Sequence, residues 1–284
     1  MKNLVSTILF FGVAGSIFFG YRWLRNSGED VKTEGQTYAV IVGVSDYLRA
    51  GRPNQVNNLR YCDDDAHLFY SFLKTPAGGS VPEANIALLI DNKASKANIL
   101  EQLEKTFAKS GPDDRVIFYF AGHGSTGYFA AYDIDLSDPK TNLLHQDIKE
   151  AFRKCRAKTR LCFADACKSG SMKNDVTKQK KELPKKSLED LESGLVVLMA
   201  TRSYQNAGEN VDIVHGYFTK FLVEGLEGKA DKNADQRVTV KETYDYLFRN
   251  LTTLPKQGPD DKGQTPVIFG KYDPDMTIAH LKSA

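Results

Sequence analysis

Val116-Ile117-Phe118-Tyr119-Phe120-Ala121 runs into Gly122-His123-Gly124, and Leu161-Cys162-Phe163-Ala164 runs into Asp165-Ala166-Cys167-Lys168-Ser169-Gly170. Both apolar stretches are short, rich in aromatic and β-branched residues between them, and stopped by glycine-bearing turns. That is the pattern of strands buried on both faces of a parallel sheet. Ligands of an open α/β sheet bind in the crevice beyond the carboxyl ends of its strands. A histidine closes one strand and a cysteine closes the next, 44 positions later. Neighbouring strands lie only ~4.8 Å apart, so side chains on the two exit loops can face each other across a substrate. The pairing suits a thiol–imidazole site.

The rest of the chain extends this pattern. Residues 38–44, 86–90, 194–200 and 265–269 read as further apolar strands. Helical spacing appears over 63–74, where Ala66, Phe69, Tyr70 and Leu73 share one side, and over 95–109, with Ser95 as N-cap. Residues 146–155, 215–225 and 241–251 also read as helices, and 129–135 as extended chain. Strands alternating with helices predict an α/β fold: a mostly parallel central sheet with helices on both faces. There are no internal repeats.

Composition bounds the alternatives. With 284 residues, 41% of them hydrophobic, the chain suffices for one substantial α/β domain or two small ones. A net charge of +2 with scattered Lys and Arg carries no nucleic-acid footprint. Cys62, Cys155, Cys162 and Cys167 form neither a C-x-x-C pair nor a disulfide framework, so they read as reduced thiols rather than zinc ligands. One is then reactive and the others are core or pocket residues.

Residues 4–21 (LVSTILFFGVAGSIFFGY) carry no charge. At ~1.5 Å per residue such a helix spans about 27 Å, close to a bilayer's hydrocarbon thickness. Tyr21 and Trp23 fall where an interfacial aromatic belt would lie, followed by Arg25. A cleaved signal peptide with Lys2 as its basic end competes with this reading. Continuation of the apolar stretch through Phe19 favours an uncleaved single transmembrane helix. The expected organisation is a membrane anchor over 1–25, a polar linker over 26–36 and a catalytic domain over 37–284. Arg22, Arg25 and Lys32 outnumber the positive charges on the other side, which tips the catalytic domain towards the cytoplasm.

A free thiol is only a few per cent thiolate at neutral pH, and a neighbouring imidazolium lowers its pKa by units. Histidine also protonates a leaving amine. The backbone N–H groups of Gly124 and Cys167 are candidate oxyanion donors, a contribution commonly worth ~3–4 kcal/mol per donor. Residues 122–127 also spell G-x-G-x-x-G. A dinucleotide fingerprint must open a helix, whereas Tyr128-Phe129-Ala130-Ala131-Tyr132-Asp133 reads as extended, so nucleotide binding is rejected.

A strand ending in G-H-G followed by a strand ending in D-A-C-x-S-G resembles the caspase-like cysteine peptidases, in particular the metacaspase and bacterial orthocaspase branch. The resemblance runs from Tyr38 to about Phe269. It takes in Val42-Gly43-Val44-Ser45-Asp46-Tyr47, Asn58-Leu59-Arg60-Tyr61-Cys62-Asp63-Asp64-Asp65-Ala66 and His215-Gly216-Tyr217-Phe218-Thr219. It implies a caspase-like fold, a His123–Cys167 catalytic dyad, a protein or peptide substrate, and a pocket lined by Cys62, Asp65 and Asp165. True caspases place Gln where Asp165 stands and hold a substrate aspartate with arginines. Two carboxylates in a partly buried pocket favour Lys or Arg instead. One charge pair at ~4 Å is worth roughly 4 kcal/mol at an effective dielectric near 20, before desolvation. In the plainer alternative, Asp65 caps its own helix and Asp165 bonds loop amides. Ala121 departs from the pattern, standing where metacaspases often have Ser. An intact dyad argues against the other class of function, a catalytically silent interaction module at the membrane.

Residues 171–192 are polar and rich in lysine, among them Lys173, Lys178 and Lys186. With specificity for basic residues they form a candidate autoprocessing loop, and otherwise a solvated charge run. Asp231, Asn233, Asp235 and Glu242 match positions 1, 3, 5 and 12 of an EF-hand loop, which makes Ca²⁺ a candidate activator although the peptidase chemistry requires no cofactor. Gln236 replaces the usual glycine at position 6, and a left-handed residue there costs ~1–2 kcal/mol. Thr239-Val240-Lys241-Glu242 alternatively reads as a capping box opening the next helix.

Overall fold

The computed structural model describes residues 35–125, 127–166, 194–202, 215–255 and 264–281. The chain divides into Met1–Glu34 and Gly35–Ala284. The expected anchor and nearly all of its linker therefore lie outside the described residues, as do Cys167 and the 171–192 segment. No helix among the described residues is long and apolar enough to cross a membrane.

Six strands form the central sheet: β1 (Thr37–Gly43), β2 (Ile86–Ile90), β3 (Arg115–Gly122), β7 (Thr159–Ala166), β8 (Leu195–Arg202) and β10 (Gln264–Lys271). Their spatial order is β10-β8-β7-β3-β1-β2. All neighbours are parallel except β10, which pairs antiparallel with β8 at the edge. Along the chain between β3 and β7 comes a separate three-stranded antiparallel ribbon, β4 (Gly124–Ser125), β5 (Tyr128–Phe129) and β6 (Leu143–Leu144). A second ribbon pairs β9 (Arg237–Thr239) with β11 (Thr277–His280).

The near-continuous apolar character of β3 follows from burial on both sides, one face per residue parity. Phe118 and Phe120 pack with Ile99, Leu103 and Phe107 of α2 (Lys96–Phe107) and with Ile148 and Phe152 of α3 (His145–Lys154). Ile117, Tyr119 and Ala121 pack on the other face. Their partners there are Ala66 and Phe69 of α1 (Cys62–Lys74), Phe218 and Leu222 of α4 (Tyr217–Glu224), and Leu247 and Leu251 of α5 (Val240–Thr252). Helices thus cover both faces, as the alternating pattern predicts. Ser95 accepts a hydrogen bond from the Asn98 N–H and caps α2, and Thr239 with Glu242 forms the capping box that opens α5.

The chain leaves β1 for β2 on one side and returns to place β3 on the other. The strand order therefore reverses between β1 and β3, and such a switch point opens a crevice at the strands' carboxyl ends. Residues 129–135 do not form the expected extended segment. Only Tyr128–Phe129 is strand. The chain then turns, with Ile134 N–H donating to the Ala131 carbonyl, while Asp133 accepts from the Lys96 N–H. Small, fully buried Ala130 and Ala131 supply an apolar run without the alternation of a strand.

Candidate active site

The carboxyl ends of β1, β3 and β7 carry the candidate site residues. β3 and β7 stay in parallel register through Ala121 opposite Asp165 and Gly122 opposite Ala166. His123 is the next residue after one strand and Cys167 the next after the other. Gly124, proposed for the oxyanion, is buried and opens β4 immediately after His123.

Two groups from the loop after β1 hold His123. Its backbone N–H donates to the Tyr47 hydroxyl at 2.8 Å, and its Nε2 lies 2.8 Å from the Asn57 carbonyl oxygen. A carbonyl only accepts, so Nε2 carries the proton of the neutral ring and Nδ1 carries the basic lone pair. The Tyr47 and His123 rings also lie against each other, with centroids 5.2 Å apart. Glycine at 122 makes this approach feasible: a Cβ there would sit 2.9 Å from the Tyr47 hydroxyl. The loop is itself tied down. Asp91 accepts from the Ser45 and Asp46 N–H groups at 2.8 and 2.9 Å, and the Asn58 side chain accepts from the Tyr47 N–H.

The acidic pair lies on the α1/α4 side of the sheet. Gly43 lets α1 close on the end of β1, since a Cβ there would stand 2.4 Å from the Cys62 carbonyl. Phe69, one turn after Asp65, stacks on Tyr119 at 4.6 Å and packs edge-on to Phe163 at 5.7 Å, which sets the rotation of α1. Asp65 and Asp165 are each 1% exposed. Both are satisfied at the start of α4. Asp65 Oδ1 accepts from the Gly216 N–H at 2.8 Å, and Asp165 Oδ2 accepts from the Thr219 N–H and hydroxyl at 3.3 and 3.1 Å. The positive end of that helix favours both charges.

Thr219 spends its one hydroxyl proton on Asp165, so Tyr119 donates in their 2.5 Å contact. Burial, then the charges of Asp65 and Asp165 and the neighbouring Cys62, push the Tyr119 phenol well above its ordinary pKa. Asp165 is thus linked to the buried Tyr119 phenol through Thr219, and the charge of Asp65 acts on the same phenol. The helix-cap alternative for Asp65 does not hold. Tyr61 occupies the N-cap of α1 without a side-chain cap bond, and Asp65 points its bond across to α4.

His215, at the entrance of α4, brings Nδ1 to 3.4 Å from Asp65 Oδ1. Its Nδ1 is buried without a hydrogen-bond partner, so the contact is an ion pair rather than a formed hydrogen bond. Asp65, with Asp64 adding to it, raises the His215 pKa above its ordinary value; partial burial and Lys220 act the other way.

In the 231–242 loop, Gln236 does adopt the left-handed conformation, at φ 62°. Its N–H donates to Asp231 Oδ2 at 3.0 Å, and Asp231 Oδ1 is buried without a partner. Glu242 is engaged by the Thr239 N–H and hydroxyl and by the Lys232 N–H, and Asp235 pairs with Arg237 at 3.0 Å. Among the described residues, no three His, Cys, Asp or Glu side chains are gathered to hold a metal.

Sequence reasoning assigned no role to Tyr47, Asn57, Asp91, Tyr119, Thr219 or His215. Tyr47 and Thr219 lie inside stretches that already carried the family resemblance. The Asn57 contribution is a backbone oxygen, for which no residue type is a signal.

Residues 36–271 match the family model described as the caspase domain. No curated protein matches the chain. Among solved structures, the crystal structure of Caspase-1 from Spodoptera frugiperda has a TM-score of 0.61 at 12% identity, with 88% of this chain and 92% of that one covered. A protein from Geobacter sulfurreducens has a TM-score of 0.54 at 16% identity, with 84% and 95% covered. At these identities the likeness to both is one of fold.

Proposed function

The chain belongs to the caspase-domain family, and on that premise we propose that it is a cysteine endopeptidase cleaving after Arg or Lys, of the metacaspase and orthocaspase type. A cysteine peptidase domain of this family implies protein or peptide substrates. The observation that carries the reading is the parallel pairing of β3 and β7 up to Gly122 opposite Ala166, which supports His123 and Cys167 as partners. The Asn57 bond that keeps a proton on Nε2 leaves Nδ1 to take the thiol proton. The Cys167 thiolate attacks the scissile carbonyl, and the Gly124 and Cys167 amides stabilise the oxyanion. His123 returns the proton to the leaving amine, giving an acyl-enzyme that water hydrolyses. Asp65 and Asp165, with Cys62 beside them, read the basic side chain.

Arg-, Lys- and Asp-terminated fluorogenic peptides, tested on wild type and Cys167→Ala, decide between readings. Turnover of the Arg and Lys peptides by wild type alone is expected. Preferential turnover of the Asp peptide overturns the pocket assignment, and no turnover by wild type favours the silent interaction module. The Lys-rich 171–192 segment is proposed as an autoprocessing loop. Identical intact bands for wild type and Cys167→Ala under activating conditions count against that. The 4–21 stretch is proposed to anchor a cytoplasmic catalytic domain, and extraction of the protein from membranes by alkaline carbonate refutes the anchor.

A second reading concerns calcium. The partnerless Asp231 Oδ1 and the left-handed Gln236 support weak Ca²⁺ binding by Asp231, Asn233, Asp235 and Glu242. Glu242 would exchange its cap bonds, and Asp235 its Arg237 contact, for the ion. Calorimetric titration with Ca²⁺ that gives no heat refutes it.

A further inference from the structure

We propose that His215 is a built-in competitor in the acidic pocket: its imidazolium occupies Asp65, and a substrate's basic side chain binds by displacing that charge and releasing its proton. The inference rests on the reading of Asp65 as a recogniser of Arg and Lys. Three observations carry it. Asp65 is almost wholly enclosed, and His215, whose side chain is 30% exposed, approaches it. Solvent and an incoming ligand therefore reach the imidazole more readily than the carboxylate.

The contact is also a poor one. At 3.4 Å, without a formed hydrogen bond on Nδ1, it lacks the 2.7–2.9 Å geometry of a charge-assisted bond. A guanidinium, which presents a planar fork of donors to a carboxylate, replaces it with a better one. Position completes the case. His215 precedes Gly216, whose N–H already holds Asp65 Oδ1 at 2.8 Å. The backbone thus keeps Asp65 in place when the imidazole leaves.

The charged groups acting on His215 are Asp65 and Asp64 from α1, which favour the imidazolium, and Lys220 from α4, which opposes it. The sign follows. His215 is held protonated above its ordinary pKa, so at lower pH the pocket is occupied by its own cation and Arg or Lys binds weakly. As pH rises through the raised pKa, the imidazole becomes neutral and binding of basic groups strengthens.

Agmatine, a bare guanidinium with the length of an arginine side chain, tests this on the full-length Cys167→Ala protein. Calorimetry in buffers of different ionisation enthalpy reads the protons released on binding. Release is expected to approach one proton per agmatine below the His215 pKa and to vanish above it, with affinity rising about tenfold per pH unit through the lower range. His215→Gln is expected to bind agmatine at a pH-independent affinity with no linked proton. Agmatine binding to wild-type pockets with no proton release at any pH overturns the competitor while leaving the acidic pocket standing. No agmatine binding at all overturns both.

Discussion

The hydroxyl of Tyr47 accepts the backbone N–H of His123 at 2.8 Å, across the switch point between β1 and β3. The bond joins the loop after β1 to the residue that ends β3, so the orientation of the imidazole depends on a loop far away in sequence. Tyr47 is buried and its ring lies against His123, which makes the phenol both a packing partner and an acceptor.

Tyr47→Phe keeps the ring and deletes the acceptor. One such hydrogen bond is worth about 0.5–1.5 kcal/mol, or roughly a two- to tenfold loss in kcat/KM if it acts on the transition state. Kinetics and thermal unfolding measured together check it, with the fall expected chiefly in kcat. Gly122→Ala is expected to be worse, because its Cβ would displace the same hydroxyl. A Tyr47→Phe enzyme with wild-type kcat removes the positioning role.

The acidic pair makes a prediction about selectivity. Asp65→Asn and Asp165→Asn each remove one charge from the pocket. With a pair worth roughly 4 kcal/mol before desolvation, the preference for an Arg peptide over a neutral one is expected to drop by about a hundredfold. Thr219→Val is the control. It takes the hydroxyl donor from Asp165 while leaving its charge, so stability falls and selectivity persists. Equal selectivity in all three variants would mean that the carboxylates serve only to start α4.

Much of the fold that positions the candidate site was legible in the sequence, for identifiable reasons. β3 and β7 are buried on both faces, so their apolar runs are unbroken and their ends sharp. Ser95 and the Thr239–Glu242 box mark helix starts by local bonds. Cys62, Asp65 and Asp165 came from the family resemblance, and the two carboxylates meet the start of α4. What escaped has no local signal for its role, even where, as at Tyr47, His215 and Thr219, it lies inside a stretch that carried the resemblance. The Asn57 contribution is a backbone carbonyl, and His215 meets Asp65 from 150 positions away. Strands of two to four residues, such as β4, β6 and β11, show no periodicity to read. The turn at 131–134 hides in an apolar run because its alanines are buried.

Asp135 gives a pH dependence. Its carboxylate accepts from the Ser137 hydroxyl and N–H and from the Gln55 amide, and it pairs with Arg49 at 3.2 Å. These bonds, the Ser137 ones foremost, lower its pKa to about 2. A carboxylate depressed in the folded state stabilises above its unfolded pKa, near 4, and that contribution is lost as pH falls through about 2. Chemical unfolding across pH 2–5 should show wild type losing stability over this window more steeply than Asp135→Asn. Parallel curves would exclude the link. Gln55 and Arg49 belong to the loop that carries Tyr47 and Asn57, so acid should also loosen the support of His123.

Thiol reactivity separates the cysteines. Cys62, Cys155 and Cys162 are buried. Burial pushes the Cys162 thiol up to about 12, which leaves a negligible thiolate fraction at neutral pH, and Cys155 Sγ donates to the Phe152 carbonyl at 3.1 Å. Alkylation requires the thiolate and access to it. Iodoacetamide at pH 7.5, followed by peptide mass mapping of the native protein, should therefore label Cys167 first and leave the other three unmodified until denaturant is added. His123→Ala should slow that labelling by an order of magnitude or more, since the imidazolium no longer favours the thiolate. Prompt labelling of Cys162, or a Cys167 rate indifferent to His123, would break the link between the two strand ends on which the peptidase chemistry depends.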